Sequence, residues 1–242
     1  MEKIEKICQD IVEWLRVMVN NAGGKGLVFG LSGGIDSAVV AGLSKRAFPE
    51  SSLGIIMPCH SNPEDEEHGL LVAKVLNLEI ERVDLSKTFD ELVEAVNLTN
   101  PSKLALANIK PRLRMTTLYY FAQNYNYLVV GSSNRSEFAI GYFTKHGDSG
   151  VDLLPLASFV KGEIYQMAEF LNIPREIIEK PPSAGLWENQ KDEDEMGFGY
   201  DVLDNYILNK TGPTEIVRKI ERMSQNSQHK RKYPPIFIPK FD

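Results

Sequence analysis

The sequence predicts an α/β protein built on a doubly wound, mostly parallel five-stranded sheet with helices on both faces. Three observations predict it. Short apolar runs of strand length, Leu27-Val28-Phe29, Leu53-Gly54-Ile55-Ile56-Met57 and Tyr127-Leu128-Val129-Val130, alternate with segments of helix length. The first and last of these runs end on Gly30 and Gly131, each opening a turn rich in Ser, Gly or Asn before the next helix. And 242 residues, 43% hydrophobic and 25% charged, suffice for one ordinary globular domain spanning residues 1–242. In such a sheet ligands bind beyond the carboxyl ends of the strands, where both turns fall.

Ile4, Ile7, Ile11, Leu15 and Met18 recur at helical spacing until Asn20-Asn21-Ala22-Gly23-Gly24 stops the pattern, which predicts an N-terminal amphipathic helix. The first strand and its glycine turn come next, then helix-compatible Ala38 to Leu43 and the second strand. Asn62-Pro63 followed by Glu64 to Glu67 reads as the cap and acidic first turn of a helix ending near Asn77. A third strand is expected over 79–84, a helix over 86–96, and a helix from 108 to about 123 with Pro111 in its first turn, where the missing N–H costs little. The stretch 180–199 has no periodicity and carries Pro181, Pro182, Gly185, Gly197 and Gly199, so it is expected to be a mobile loop or lid. A last helix is expected over 213–223.

The first turn reads Gly30-Leu31-Ser32-Gly33-Gly34-Ile35-Asp36-Ser37. A helix start exposes unpaired N–H groups at the positive end of its dipole, and glycines let the backbone approach a phosphate closely. Ser32 and Ser37 add hydroxyls. An acid such as Asp36 is out of place beside bare phosphate, so a bridging divalent cation with hard oxygen ligands is implied, which suits magnesium. The turn lacks the Gly-Lys-Ser/Thr ending of a Walker A loop and the glycine spacing of a dinucleotide fingerprint.

Composition narrows the function classes. No run approaches the about 20 apolar residues of a membrane helix, and the basic-then-apolar shape of a signal peptide is missing, so a cytoplasmic protein without membrane partners is expected. Cys8 and Cys59 are too few for a disulfide framework or zinc site and read as packed free thiols. A net charge of −6 argues against broad nucleic-acid binding.

The octapeptide resembles the SGGxDS pyrophosphate loop of the ATP pyrophosphatase superfamily, Rossmann-like proteins that split ATP to AMP and pyrophosphate while adenylating an acceptor. From Gly131 the chain runs GSSNRSEFAIGYFTKHGDSGVDLLPL, which is similar to the GTxxxxE and GFFTKYGDGGxDxxPL segments of the ammonia-dependent NAD synthetases. Lys110 to Met115, Lys161, Pro182 to Trp187 and the terminal His229-Lys230-Arg231 extend the resemblance over nearly the whole chain.

That resemblance implies ATP-dependent amidation of deamido-NAD by ammonia to give NAD, AMP and pyrophosphate through an adenylated intermediate. It implies that Gly30, Leu31, Ser32, Gly33, Gly34, Ile35, Asp36 and Ser37 hold the ATP phosphates, that Ser132, Lys161 and Ser183 also contact ATP, and that Asp36 and Glu137 ligate Mg2+. Arg112, Lys145, Asp152, His229 and Lys230 match positions that hold deamido-NAD, across a homodimer interface. Asp36, Glu137 and Lys161 are then the catalytic set. Ser132 stands for the usual Thr, Ser149 for Gly, and Asn134-Arg135-Ser136 for Asp-His-Ala, without loss of a charge the chemistry needs. With no glutaminase module in the pattern, ammonia is free or delivered by a separate glutaminase subunit. A tRNA-modifying relative or a non-catalytic nucleotide binder are the rivals; the acidic surface counts against the first, and retention of Asp36, Glu137 and Lys161 against the second.

Overall fold

A computed structural model describes residues 2–187 and 190–239. Its sheet is parallel throughout, in the order β3-β2-β1-β4, with β1 at Gly26–Gly30, β2 at Ser52–Ile56, β3 at Glu79–Arg82 and β4 at Tyr127–Val129. Among the described residues the sheet has four strands, not the five expected. Beyond β4 the chain continues only as a single bridge between Val130 and Leu153, where Asp152 and Gly131 take up backbone bonds that a full edge strand would otherwise form.

The order sets the site. The chain leaves β1 towards β2 on one side, and β4 joins β1 on the other, so the topological switch lies between Gly30 and Gly131. Alternate residues of β1 enter different cores: Leu27 and Phe29 pack with Leu15, Leu43 and Ile164, whereas Val28 packs with Ile55, Leu118 and Val129. That period of two, with no polar residue interrupting it, is why the run folds as a buried strand.

Most helices match their sequence signals. The N-terminal helix spans Glu2–Asn21 and buries Cys8, Ile11, Val12, Leu15 and Val19. The helix Pro63–Leu76 starts with the Asn62 side chain accepting from Glu64 N and ends at left-handed Asn77. Ser86–Val96 falls as expected, while the helix Ile109–Tyr125 runs two residues further than expected and is preceded by a short helix, Lys103–Ala107, capped by Ser102. The final helix is Thr214–Asn226.

Residues 180–199 are not the uniform loop their composition suggests. A helix, Asp192–Met196, lies inside, and Met196 and Phe198 bury in a third core with Ile140, Val160 and Leu203. Two well-placed apolar residues anchor this half; a periodicity test cannot detect so short a helix.

Candidate active site

Around the switch point a cavity of about 460 Å³ is lined by the Gly30–Ser37 turn apart from Gly33, by Gly131, Ser132 and Glu137, by Lys161, and by residues of the 180–187 stretch including Ser183. The helix Ile35–Ala47 begins here, and its N-cap residue, Gly34, contributes no side-chain bond. Its first N–H groups are therefore free to meet an anion. Ser37 shapes the turn: its buried hydroxyl donates to Gly34 O (2.8 Å) and receives the Ser32 hydroxyl (3.0 Å).

The two glycines serve different ends. Gly33 has φ +75°, and a Cβ there would lie 2.3 Å from Asp65 O, so this residue lets the turn pack under the helix Pro63–Leu76. Gly34 has room for a Cβ. Gly33→Ala is therefore expected to cost at least about 1–2 kcal/mol from the left-handed backbone alone, with the clash added. A thermal melt of that variant, set beside Gly34→Ala, checks this; equal melting points would contradict it.

Asp36, Glu137 and Lys161 converge although 125 residues separate the first from the last. Lys161 Nζ lies 2.5 Å from Asp36 Oδ2 and 3.5 Å from Glu137 Oε1, with its side chain 3% exposed and each carboxylate 16%. Asn134 connects the two acidic turns. Its Nδ2 donates to Asp36 Oδ1 (2.8 Å) while its Oδ1 receives Glu137 N (3.0 Å), and Asn134 N donates to Glu137 Oε2 (3.3 Å), a capping box on the helix Arg135–Ile140.

A lysine at the first position of a helix meets the wrong end of the dipole. Here the helix Lys161–Phe170 is compensated by Asp204, which receives Gly162 N (2.8 Å) and the Ser136 hydroxyl that itself accepts from Lys161 N. Burial works against the Lys161 charge, but Asp36 and Glu137 more than offset it and hold the ammonium above the ordinary lysine range. With both carboxylates ionised, the two acids would outnumber the one ammonium. Desolvation and the neighbouring Asp36 accordingly push the Glu137 carboxyl up.

Asp192 adds a further acid that the sequence reading passed over. It is 4% exposed, its side chain receives the Tyr200 hydroxyl (3.0 Å), and its Oδ1 is buried with no hydrogen-bond partner among the described residues. Burial raises its pKa while Lys161 draws it down. The Lys161 ammonium also lies 5.0 Å from the Tyr200 ring centre, so Asp192 and Tyr200 together back the lysine. In the sequence Asp192 sits within an acidic run that reads as solvated surface, and only the fold singles it out.

The remaining expected residues divide. Lys230 lines the cavity, with its ammonium on Gly141 O and Phe143 O (both 2.7 Å). Arg112, Lys145, Asp152 and His229 are not among the cavity lining. Arg112 donates to Lys145 O (3.4 and 3.3 Å), and Asp152 receives Tyr119 OH (2.9 Å) and Val129 N (2.8 Å), bonds that tie it to β4. His229 is exposed in the short 3-10 turn Gln228–Lys230. Cys59 is packed, with its thiol directed to Leu85 O (3.8 Å).

The family model described as NAD synthase matches residues 7–234. The chain belongs to the NAD synthase family. It is 56% identical over 238 residues to the NH(3)-dependent NAD(+) synthetase of Carboxydothermus hydrogenoformans, covering 97% of this chain and 96% of that protein. Among solved structures it is similar to an NMN synthetase from Francisella tularensis (TM-score 0.93, 34% identity, 98% of this chain and 99% of that one). It is also similar to the NH3-dependent NAD synthetase of Campylobacter jejuni in complex with the nitrate ion (TM-score 0.81, 32% identity, 97% of this chain and 99% of that one). Membership in the NAD synthase family makes the chain a ligase with ATP as co-substrate.

Proposed function

We propose that this chain amidates deamido-NAD with ammonia, using ATP and releasing NAD, AMP and pyrophosphate through an adenylated intermediate. The observation that carries the reading is the placement of an uncapped helix start and the Asp36-Glu137-Lys161 cluster on the wall of one cavity, in a chain of this family.

A carboxylate resists amines because oxide is a poor leaving group. In the first step the nicotinate carboxylate attacks the α-phosphorus and pyrophosphate departs. In the second, ammonia attacks the activated carbonyl and AMP departs. No nucleophilic side chain is needed, and the chain supplies position and charge. The free N–H groups of residues 35–37 would hold the phosphates, Ser132 and Ser183 would contact the nucleotide, and Lys161 would meet the charge that builds on pyrophosphate.

Magnesium fits the residues present. Asp36 and Glu137 are hard oxygen donors in a pocket with excess negative charge, and among the described residues no group of three His, Cys, Asp or Glu forms a complete cage. Magnesium is commonly held by one or two carboxylates together with phosphates and water. When bound it would supply charge neutralisation between triphosphate and protein.

In the same reading Arg112, Lys145, Asp152, His229 and Lys230 hold deamido-NAD at a homodimer interface, and residues 183–187 close over the adenylate. Support for the dimer comes from bare apolar surface: Tyr233, Ile236, Phe237 and Ile238 are 81–93% exposed. Ammonia is taken free or from a separate glutaminase subunit. No described helix is long and apolar enough to cross a membrane, and the cytoplasmic location expected from the sequence belongs to the same proposal.

The NMN synthetase likeness favours a second reading in which the acceptor is the corresponding mononucleotide acid. One assay separates the readings. With ATP, magnesium and ammonium, deamido-NAD is expected to give NAD and AMP in equal amounts and to be preferred over the mononucleotide. The reverse preference would install the second reading, and ATP cleavage with neither acceptor would overturn both.

A further inference from the structure

Lys180 stands at the head of the 180–199 segment and lines the same cavity as Ser32, Gly34 and Ser183. Its side chain is 19% exposed; its ammonium donates to Asp65 Oδ1 at 2.7 Å and to His68 Nδ1 at 2.9 Å. Donation to Nδ1 leaves the ring proton on Nε2, on the side of Glu64. An ammonium has three donors, and the described residues engage two of them.

Asp65 also abuts the phosphate turn, because its carbonyl oxygen fills the space where a Cβ of Gly33 would be. One residue thus touches the turn through its backbone and holds Lys180 through its side chain. Lys161 is engaged by two carboxylates, whereas among the described residues Lys180 has a single, 24% exposed carboxylate as its anionic partner. A triphosphate offers more charge and more acceptor oxygens than one such carboxylate.

Building on the ATP reading above, we infer that Lys180 is a further phosphate-binding residue, whose ammonium passes from Asp65 to the β- and γ-phosphates of ATP seated on the Gly30–Ser37 turn. The exchange draws the head of the 180–187 stretch onto the nucleotide. Pro181 and Pro182 follow directly and limit how that movement can dissipate along the chain. Asp65 is then a competitor that holds the lysine in place while the site is empty.

The test is direct binding of ATP and of AMP, with magnesium, to the wild-type chain and to Lys180→Met, Lys180→Arg and Asp65→Asn, each checked by thermal melt. Loss of a charge-assisted contact predicts that Lys180→Met weakens ATP binding about tenfold or more and leaves AMP binding unchanged. Lys180→Arg retains most of the affinity. Asp65→Asn removes the competitor and binds ATP as tightly as wild type or tighter. If Lys180 merely pins the segment, Asp65→Asn and Lys180→Met weaken binding alike, for ATP and AMP together, and the inference is overturned. Wild-type affinity in Lys180→Met overturns it too. Should Lys180→Met fail to fold, the sign of the Asp65→Asn effect still decides. If the wild-type chain itself does not prefer ATP to AMP, the underlying ATP reading has failed; a wild-type preference that survives in Lys180→Met sinks the lysine assignment alone.

Discussion

Asp36→Asn is expected to lower pyrophosphate release at least about a thousandfold, the upper end of what one electrostatic group commonly supplies, with the fold retained. The carboxylate of Asp36 accepts on both oxygens, from Asn134 Nδ2 and from Lys161 Nζ. An asparagine presents one oxygen and one amide, so either orientation turns a donor towards a donor. The charge changes as well. With Asp36 gone, the cavity loses one of the two carboxylates placed to hold a divalent cation. Pyrophosphate release at saturating ATP, measured beside a thermal melt, checks this. Substantial retained turnover in a folded variant would refute the assignment of Asp36 to magnesium.

Lys161→Met should be the most destabilising change in the site. Removing one partner from a buried ion cluster typically costs about 3–5 kcal/mol, because the charges left behind are uncompensated. For a chain of this size each kcal/mol is worth roughly 2–4 °C of melting temperature, so a fall on the order of 10 °C is expected without divalent cation. The pH dependence follows from the carboxyls. Glu137 already titrates above its unfolded value of 4.5, and loss of the lysine removes the one group that lowers it by charge. A carboxyl with a raised folded pKa contributes stability that is fully present below the unfolded value and lost as pH rises through the folded one. The deficit of the variant should therefore shrink towards pH 5 and grow towards pH 8, and magnesium should recover part of it. Wild-type melting at pH 8 in the presence of a chelator would show that the cluster does not hold the charges as described.

Much of this site was legible because local rules mark it. The Gly30–Ser37 turn follows a strand and opens a helix, as its residues predict, and that pattern is what suggests an anion site. Glu137 read alone resembles a solvated helix-start carboxylate. Asn134 three residues earlier completes a capping box that fixes it, and that spacing was available in the sequence. A lysine at a helix start calls for an anion, but nothing local to Lys161 says that Asp36 and Glu137 supply it. Asp192 was not legible: its neighbours Glu193, Asp194 and Glu195 are exposed, and nothing local distinguishes the buried acid from them. The missing fifth strand failed for a related reason, since an edge strand depends on how many backbone bonds its neighbour leaves open.

By itself the sequence determined most of the alternation of strands and longer helices, the two glycine-ended turns, and the acids and lysine that could serve an ATP-dependent amidation. These are properties of period, spacing and residue chemistry within a few positions along the chain. The tertiary structure alone decided that Lys161 lies between Asp36 and Glu137, that Gly33 serves packing against Asp65, that Asp192 is buried against Tyr200, and that Lys180 faces the cavity. Each of these is a meeting of segments distant in sequence, and the energy of such a meeting depends on burial and on what else shares the space, which local pattern does not encode.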